Sequence, residues 1–329
     1  MNAFSVPVVK AFFQELYSEI HDVSYTLFKL MIPVILIIKL LEEMGGIEWF
    51  ASLLGPLMAM VGLPDSTALV WATTMATNIY AGMLVFFTQS HQESLSVAQV
   101  TVLGGLLLMA HGLPIEARIA QIAGVRMRAT LLLRIGGGLV FAWLLNLIYS
   151  QGGWLQQPNE LLWQPEIVED TFLAWTVHQI KSLLVIQLVI IALLTGLKLL
   201  KLLGIEKLMA WLLQPLLRML GIGSEATTIS IVGVTLGLSF GGGLLIKEAK
   251  AGQISKRDVF AAMAFLGLCH SLIEDTLLVM LLGAHISGVL WMRLFFSLLV
   301  VAVLTRWMDS KSEQFHQRYL IRPCQKAGN

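Results

Sequence analysis

Gly104–Glu116 reads GGLLLMAHGLPIE, and 159 residues later Met263–Asp275 reads MAFLGLCHSLIED. Each stretch is an apolar helix that ends on a histidine and then places carboxylates within five residues: His111 with Glu116, and His270 with Glu274 and Asp275. Gly112 and Pro114 interrupt the backbone ladder in the first copy, freeing amides and carbonyls that must find other partners. The surroundings make these groups expensive. Of 329 residues, 57% are hydrophobic and 13% charged, whereas a soluble domain carries about 25% charged residues. Several apolar runs approach or exceed the roughly 20 residues that cross a bilayer. The composition excludes an ordinary soluble enzyme and implies an all-α polytopic membrane protein.

The match extends well beyond the two histidines. At the same offset Pro56 meets Pro215, Gly62 meets Gly221, Gly82 meets Gly241, Ser96 meets Ser255, Gly124 meets Gly283 and Arg134 meets Arg293. Leu and Val coincide by chance in apolar chains, but Gly, Pro, His and Arg at one fixed offset point to an internal duplication. Upstream, Gly46-Ile47-Glu48 answers Gly204-Ile205-Glu206 one residue out of step. The chain divides into an amphipathic start over 1–24, a first repeat over 25–150, a polar connector over 151–178, a second repeat over 179–307 and a basic tail over 308–329. Each repeat holds five apolar segments, so about ten membrane helices are expected. Those at 47–62 and 205–221 are short and carry a proline, which makes them candidates for interfacial or broken helices. The start, with Val9, Phe13, Leu16 and Ile20 at helical spacing, fits either a surface helix or an extension of the first span.

Lysine and arginine prefer the cytoplasmic side, and their distribution orients the repeats. Residues 40–117 contain neither, which places the loop at Ser90–Leu95 outside; its counterpart carries Lys247, Lys250, Lys256 and Arg257 and belongs inside. One loop later the bias reverses, with Arg126 and Arg128 inside and 284–288 free of both. The connector has no Lys or Arg and falls outside. Equivalent loops on opposite sides require an odd number of crossings per repeat. The expectation is two inverted-topology repeats, both termini cytoplasmic, in a bacterial inner membrane. Inverted repeats are a recurring architecture of secondary transporters, with the solute site near the midplane where the repeats meet.

The candidate site follows from the polar residues within the apolar segments. His111, Glu116, His270, Glu274 and Asp275 could bind a proton, a cation or the polar edge of a solute, or could merely cap helix ends. Thr74, Thr77 and Asn78, with Ser239, Gly241 and Gly242 in the second repeat, offer hydroxyls, an amide and close backbone approach, or small-residue helix packing. Arg134 lies 18 residues after Glu116 and Arg293 lies 18 after Asp275. Each arginine is expected to support the carboxylate of its own repeat by an ion pair, the alternative being a side chain that snorkels to headgroups. A carried cation would take His111, His270, Glu116 and Asp275 as mixed nitrogen–oxygen ligands. Cys269 reads as a small buried thiol.

Gly46-Ile47-Glu48, Asn78-Ile79-Tyr80-Ala81-Gly82, His111 to Glu116 and Gly241-Gly242-Gly243 together resemble the nucleoside recognition, or Gate, family. The resemblance covers most of residues 25–305. Gate domains occur in concentrative nucleoside transporters, in the membrane part of the FeoB ferrous-iron transporter and in spore-maturation proteins A and B. The resemblance implies either a carrier for a nucleoside-like solute or a cation, or a non-transporting membrane scaffold. No phosphate-loop or H-E-x-x-H pattern is present, so nucleotide hydrolysis by that route and zinc-protease chemistry have no motif to rest on. The expected partners are the lipid bilayer and a small molecule or ion, with self-association into a homo-oligomer left open. A net charge of +1 provides no field for nucleic acid. No cofactor is expected beyond a coupling proton or cation.

Overall fold

The computed structural model describes residues 6–89, 94–161 and 171–322. Ser90, residues 162–170 of the connector and the end of the basic tail (323–329) lie outside those residues. All the described regular structure is helical, with two isolated backbone bridges, Ser96 to Pro158 and Val125 to Ile321. In chain order the helices are α1 (Val6–Glu43), α2 (Gly46–Met60), α3 (Thr67–Ala76), α4 (Ile79–Gln89), α5 (Val97–Met109), α6 (Leu113–Ile122) and α7 (Met127–Gly152). A second run of seven follows: α8 (Phe172–Leu202), α9 (Ile205–Met219), α10 (Ser224–Leu236), α11 (Leu238–Lys250), α12 (Lys256–Leu268), α13 (Glu274–Met280) and α14 (Ser287–Asp309). A short terminal helix, α15, covers 313–320.

The 159-residue offset recurs in these bounds. Helices α2 and α9 start and stop in step, as do α5 and α12. The local causes recur as well. Ser96 caps α5 in a capping box with Gln99, and at the matching place Ser255 caps α12 by accepting from the Asp258 amide. Gly45 and Gly204, both left-handed, cap α2 and α9, so the upstream match is in step once Gly45 replaces Gly46 as its anchor. Contacts between the two runs exchange in pairs. Helix α4 packs on α13 as α11 packs on α6, the start of α14 packs on α5 as the start of α7 packs on α12, and α5 meets α12.

Among the described residues, five helices are long and apolar enough to cross a membrane: residues 12–37, 97–122, 127–152, 173–202 and 287–309. The apolar run 67–88, expected as one span, is a hairpin. Its helix stops at Thr77, and Asn78 Oδ1 accepts from the Ala81 amide at 2.9 Å to start α4. Gly82 then lies directly against Thr74, eight residues back, which an unbroken helix would hold about 12 Å away. The run 227–246 folds in the same way at Gly237, φ +91°, bringing Gly241 against the Gly233 backbone. A side chain at Gly241 would meet the Gly233 backbone and prevent closure, while one at Gly82 would press on the Thr74 hydroxyl. These legs are about 15–20 Å long, half a bilayer.

Two further expectations are refined. The amphipathic start is continuous with the first span, because α1 runs unbroken through residue 24 and packs on α8. The tail folds back up to residue 322: Arg126 donates to Gln317 O at 2.9 Å, and Arg322 N donates to Gly124 O at 2.8 Å. The long helices α1, α7, α8 and α14 present large apolar side chains to the outside, among them Leu36, Leu132, Leu184, Leu188, Phe295 and Val303. Such a surface is stable only in a lipid environment.

Candidate functional site

Helix α5 ends at Met109, the chain turns through Ala110–Gly112, and α6 restarts with Pro114 in its first turn. Helix α12 ends at Leu268, the chain turns through Cys269–Ser271, and α13 follows. Each turn needs a left-handed residue, supplied by Gly112 at φ +55° and by Ser271 at φ +43°. The hairpin tips seal these breaks: Gly112 N donates to Thr74 O at 3.0 Å, and Leu272 N donates to Val234 O at 2.8 Å. A left-handed L-residue costs about 1–2 kcal/mol, only part of which is offset by the extra chain entropy of glycine, about 0.5–1 kcal/mol. Ser271→Gly is therefore expected to raise the melting temperature of the detergent-solubilised protein by a few degrees. An unchanged or lower value would show that the serine is unstrained.

The two breaks meet. His111 Nε2 and His270 Nε2 lie 2.9 Å apart, and both residues are buried. Glu116 Oε1 lies 3.2 Å from His111 Nε2 and 3.4 Å from His270 Nε2. Asp275 Oδ2 lies 3.7 and 3.9 Å from the same two nitrogens. Glu274 adjoins Asp275 and Tyr80. Tyr80, part of the Asn78–Gly82 stretch singled out in the sequence, joins the site through Glu274.

The backbone dictates the state of the histidines. His111 Nδ1 lies 3.0 Å from Leu107 O, and His270 Nδ1 lies 2.7 Å from Leu266 O. A carbonyl only accepts, so each Nδ1 carries the proton and, in a neutral ring, each Nε2 presents a lone pair. Two such lone pairs facing each other at 2.9 Å repel unless a positive charge joins them. The flanking carboxylates favour that charge.

The arginines differ in a way that the equal 18-residue spacing conceals. Neither reaches headgroups, since Arg134 and Arg293 are 1% and 0% exposed. Arg134 Nε donates to Met109 O at 3.0 Å and its Nη1 pairs with Glu116 Oε2. Arg293 makes the matching bond to Leu268 O at 3.1 Å and a second to His270 O at 3.0 Å. Its expected pair with Asp275 is not formed. Aspartate is one methylene shorter than glutamate, and Arg293 Nη1 and Asp275 Oδ2 are each buried without a hydrogen-bond partner. Arg134 lies within a π-helical turn, Leu132–Gly136, and Arg293 directly follows another, Ser287–Met292; such wider winding occurs preferentially at functional positions.

The hydroxyl-and-amide set is placed differently. Thr74 Oγ1 and Thr77 Oγ1 donate to carbonyls of their own helix, at 2.8 and 2.6 Å, and Asn78 caps α4. The set is thus used to shape the hairpin, although Thr77 O and Glu116 Oε1 both approach Gly112. Gly241 and Gly242 pack the second hairpin, Gly242 facing Ile119 of α6. The side chain of Ser239 lies outside the described residues. Cys269 is a free, fully buried thiol.

Comparison with curated proteins finds a membrane protein of Bacillus subtilis (strain 168), "Uncharacterized membrane protein YvoD", 31% identical over 294 residues that cover 88% of this chain and 92% of that one. The chain belongs to the YvoD family of membrane proteins. No family model matches it, and no solved structure does. The membership establishes a membrane protein and spans both runs of helices, so the site is described from the geometry above.

Proposed function

We propose that this YvoD-family protein is a secondary transporter in which two inverted halves hold a small solute between them, at the His111–His270 pair. The observation that carries the proposal is the convergence of two Nε2 atoms and two carboxylates from equivalent broken helices on one buried point. A protein that only needed stability would fill that point with apolar side chains. Interrupted helices meeting near the middle of the bilayer are also how transporters build solute sites, and the Gate-domain resemblance agrees with this role. The gathered charges favour a cation over a neutral nucleoside, since the hydroxyls and Asn78 that would bind a nucleoside are engaged within the hairpin. On this reading the protein is a carrier and not an enzyme.

Loop contacts support the inverted arrangement. Gln99 binds Gly62 O, Val97 and Ala98 bind the connector at Gln157 and Leu155, and Asn159 binds Leu282 O. These loops form one group and contain no lysine or arginine. A second group joins Gly221 to Arg257, Arg257 to Asp309, and the tail at Gln317–Arg322 to Gly124–Arg126. That group also carries Arg128, Lys247, Lys250, Lys256, Lys311 and Arg318. Equivalent loops fall in opposite groups. Each hairpin starts and ends on one side as a re-entrant element, so each half crosses three times, by α1, α5–α6 and α7 and by α8, α12–α13 and α14, with α12–α13 counted beside the five apolar spans as the counterpart of α5–α6. Three is odd, as inversion requires, and both termini fall on the basic, cytoplasmic side. Cysteine labelling in intact cells tests this: Ser94→Cys should react from outside and Gln253→Cys only after permeabilisation. Reaction of both from one side would end the inverted model.

Uptake by proteoliposomes across a panel of nucleosides and metal ions tests transport itself. The expected outcome is saturable uptake of a cationic member of the panel. Absence of flux for every member would instead favour the membrane-scaffold alternative.

A further inference from the structure

We infer that the His111–His270 centre binds one four-coordinate divalent transition-metal cation of the zinc type, through His111 Nε2, His270 Nε2, Asp275 Oδ2 and Glu116 Oε1. The inference names the occupant of the site on which the transport reading rests.

Four observations converge on this class of ligand. The first is size. Zinc binds imidazole nitrogen and carboxylate oxygen at about 2.0–2.2 Å in a tetrahedron, which separates its ligand atoms by about 3.4 Å. The separations here are 2.9, 3.2, 3.4, 3.7 and 3.9 Å. His111, His270 and Asp275 alone offer three ligand atoms within 4.8 Å of one another. A space framed by atoms this close takes a single ion and no organic solute.

The second observation is orientation. A metal-bound histidine typically donates its other ring N–H to a carbonyl or carboxylate, which fixes the tautomer and aims the lone pair. Leu107 O and Leu266 O accept in that way, each one helical turn before its histidine. Glu116 is similarly held from behind, its Oε2 on Arg134 while Oε1 faces the histidines.

The third is the unpartnered Asp275 Oδ2. It belongs to a residue that is 8% exposed, faces both Nε2 atoms and has no hydrogen-bond partner. A buried carboxylate oxygen in that condition is costly, and a cation bound between it and the histidines removes the cost. The placement of charge agrees as the fourth: the carboxylates of Glu116 and Asp275 face the two Nε2 atoms, while Arg134 and Arg293 are turned to the Met109, Leu268 and His270 carbonyls. Two imidazole nitrogens select against magnesium and calcium, which prefer all-oxygen sites, and suit zinc or a neighbouring first-row metal.

The test uses the full chain purified in detergent, stripped with a chelator and loaded with Zn²⁺ or Co²⁺. One Zn²⁺ per chain is expected, retained against excess Mg²⁺, and Co²⁺ should give the intense visible bands of a tetrahedral site. His270→Gln and Asp275→Asn should each weaken Zn²⁺ binding about tenfold or more, judging by the 10–100-fold cost of losing even outer-shell partners. Failure of a monodisperse wild-type protein to hold Zn²⁺ would overturn the inference, as would full retention by the His111→Gln/His270→Gln pair. If those variants do not fold, the wild-type Co²⁺ spectrum decides, a weak octahedral spectrum counting against the site. Zn²⁺ bound without flux of any panel member would defeat the transport reading and leave this inference intact. Nucleoside flux through metal-free protein would do the reverse.

Discussion

Arg134→Met should cost about 3–5 kcal/mol of stability, the range for removing one partner of a buried ion pair. Two groups lose their partner at once. Glu116 keeps its charge in a buried position beside the histidines, and Met109 O at the end of α5 is left without the Nε donor. Methionine retains much of the aliphatic bulk of arginine, so packing accounts for little of the change. Arg293→Met strands the Leu268 and His270 carbonyls but breaks no carboxylate pair. Its cost should be lower, about 2–3 kcal/mol in all, since both stranded groups are neutral carbonyls at the low end of the penalty for an unpaired group. Adding Glu116→Gln to Arg134→Met should recover part of the loss, because the stranded charge disappears. Reversible denaturation in detergent measures all four proteins. Equal losses for the two arginines, or no recovery in the double variant, would contradict the asymmetry seen between the halves.

Gly241→Ala is the second large effect, and its counterpart Gly82→Ala is the control. A Cβ at position 241 would land on the backbone Cα and N of Gly233, which cannot rotate aside. The hairpin legs must separate, and a loss at the upper end of the overpacking range, about 3 kcal/mol or more, is expected. A Cβ at position 82 would meet the Thr74 hydroxyl, a side-chain atom bonded to Val70 O. That contact can be relieved. Thr74→Gly reproduces in the first hairpin the glycine pair of the second, so it should restore most of the stability of Gly82→Ala. No side-chain change at position 233 can do the same for Gly241→Ala. Thermal unfolding of the four proteins checks the pattern, and a harmless Gly241→Ala would show that the legs do not touch.

The duplication and its centre were legible in the sequence because Gly, His and Arg seldom recur at one offset without cause. His111, Glu116, His270 and Asp275 were singled out together, and the structure places them together. How the apolar runs divide into helices was not legible, for a definite reason. Charge bias in loops reports only whether the number of crossings is odd, not how many there are. An apolar run of 20 residues reads as a span whether it is straight or folds back at Asn78 or Gly237. What separates the two is the Gly82–Thr74 and Gly241–Gly233 contacts, which are tertiary. The equal 18-residue spacings likewise suggested two equal ion pairs. One methylene decides that Glu116 reaches its arginine and Asp275 does not. The hydroxyls of Thr74 and Thr77 were indistinguishable from solute ligands by spacing alone, since local bonds to the i−4 carbonyl compete for such groups.

The most direct test of a solute site between the two halves is uptake by proteoliposomes containing the Glu116→Gln/Asp275→Asn double variant, beside wild-type protein reconstituted at the same density. Glutamine and asparagine keep the size of the two side chains while removing both charges that face His111 Nε2 and His270 Nε2. The expected result is saturable cation uptake by the wild type and a loss of at least about tenfold in the double variant, with correct folding shown by an unchanged elution profile and labelling pattern. Unchanged uptake in a correctly folded double variant would contradict the site, and with it the account of how the two halves work together.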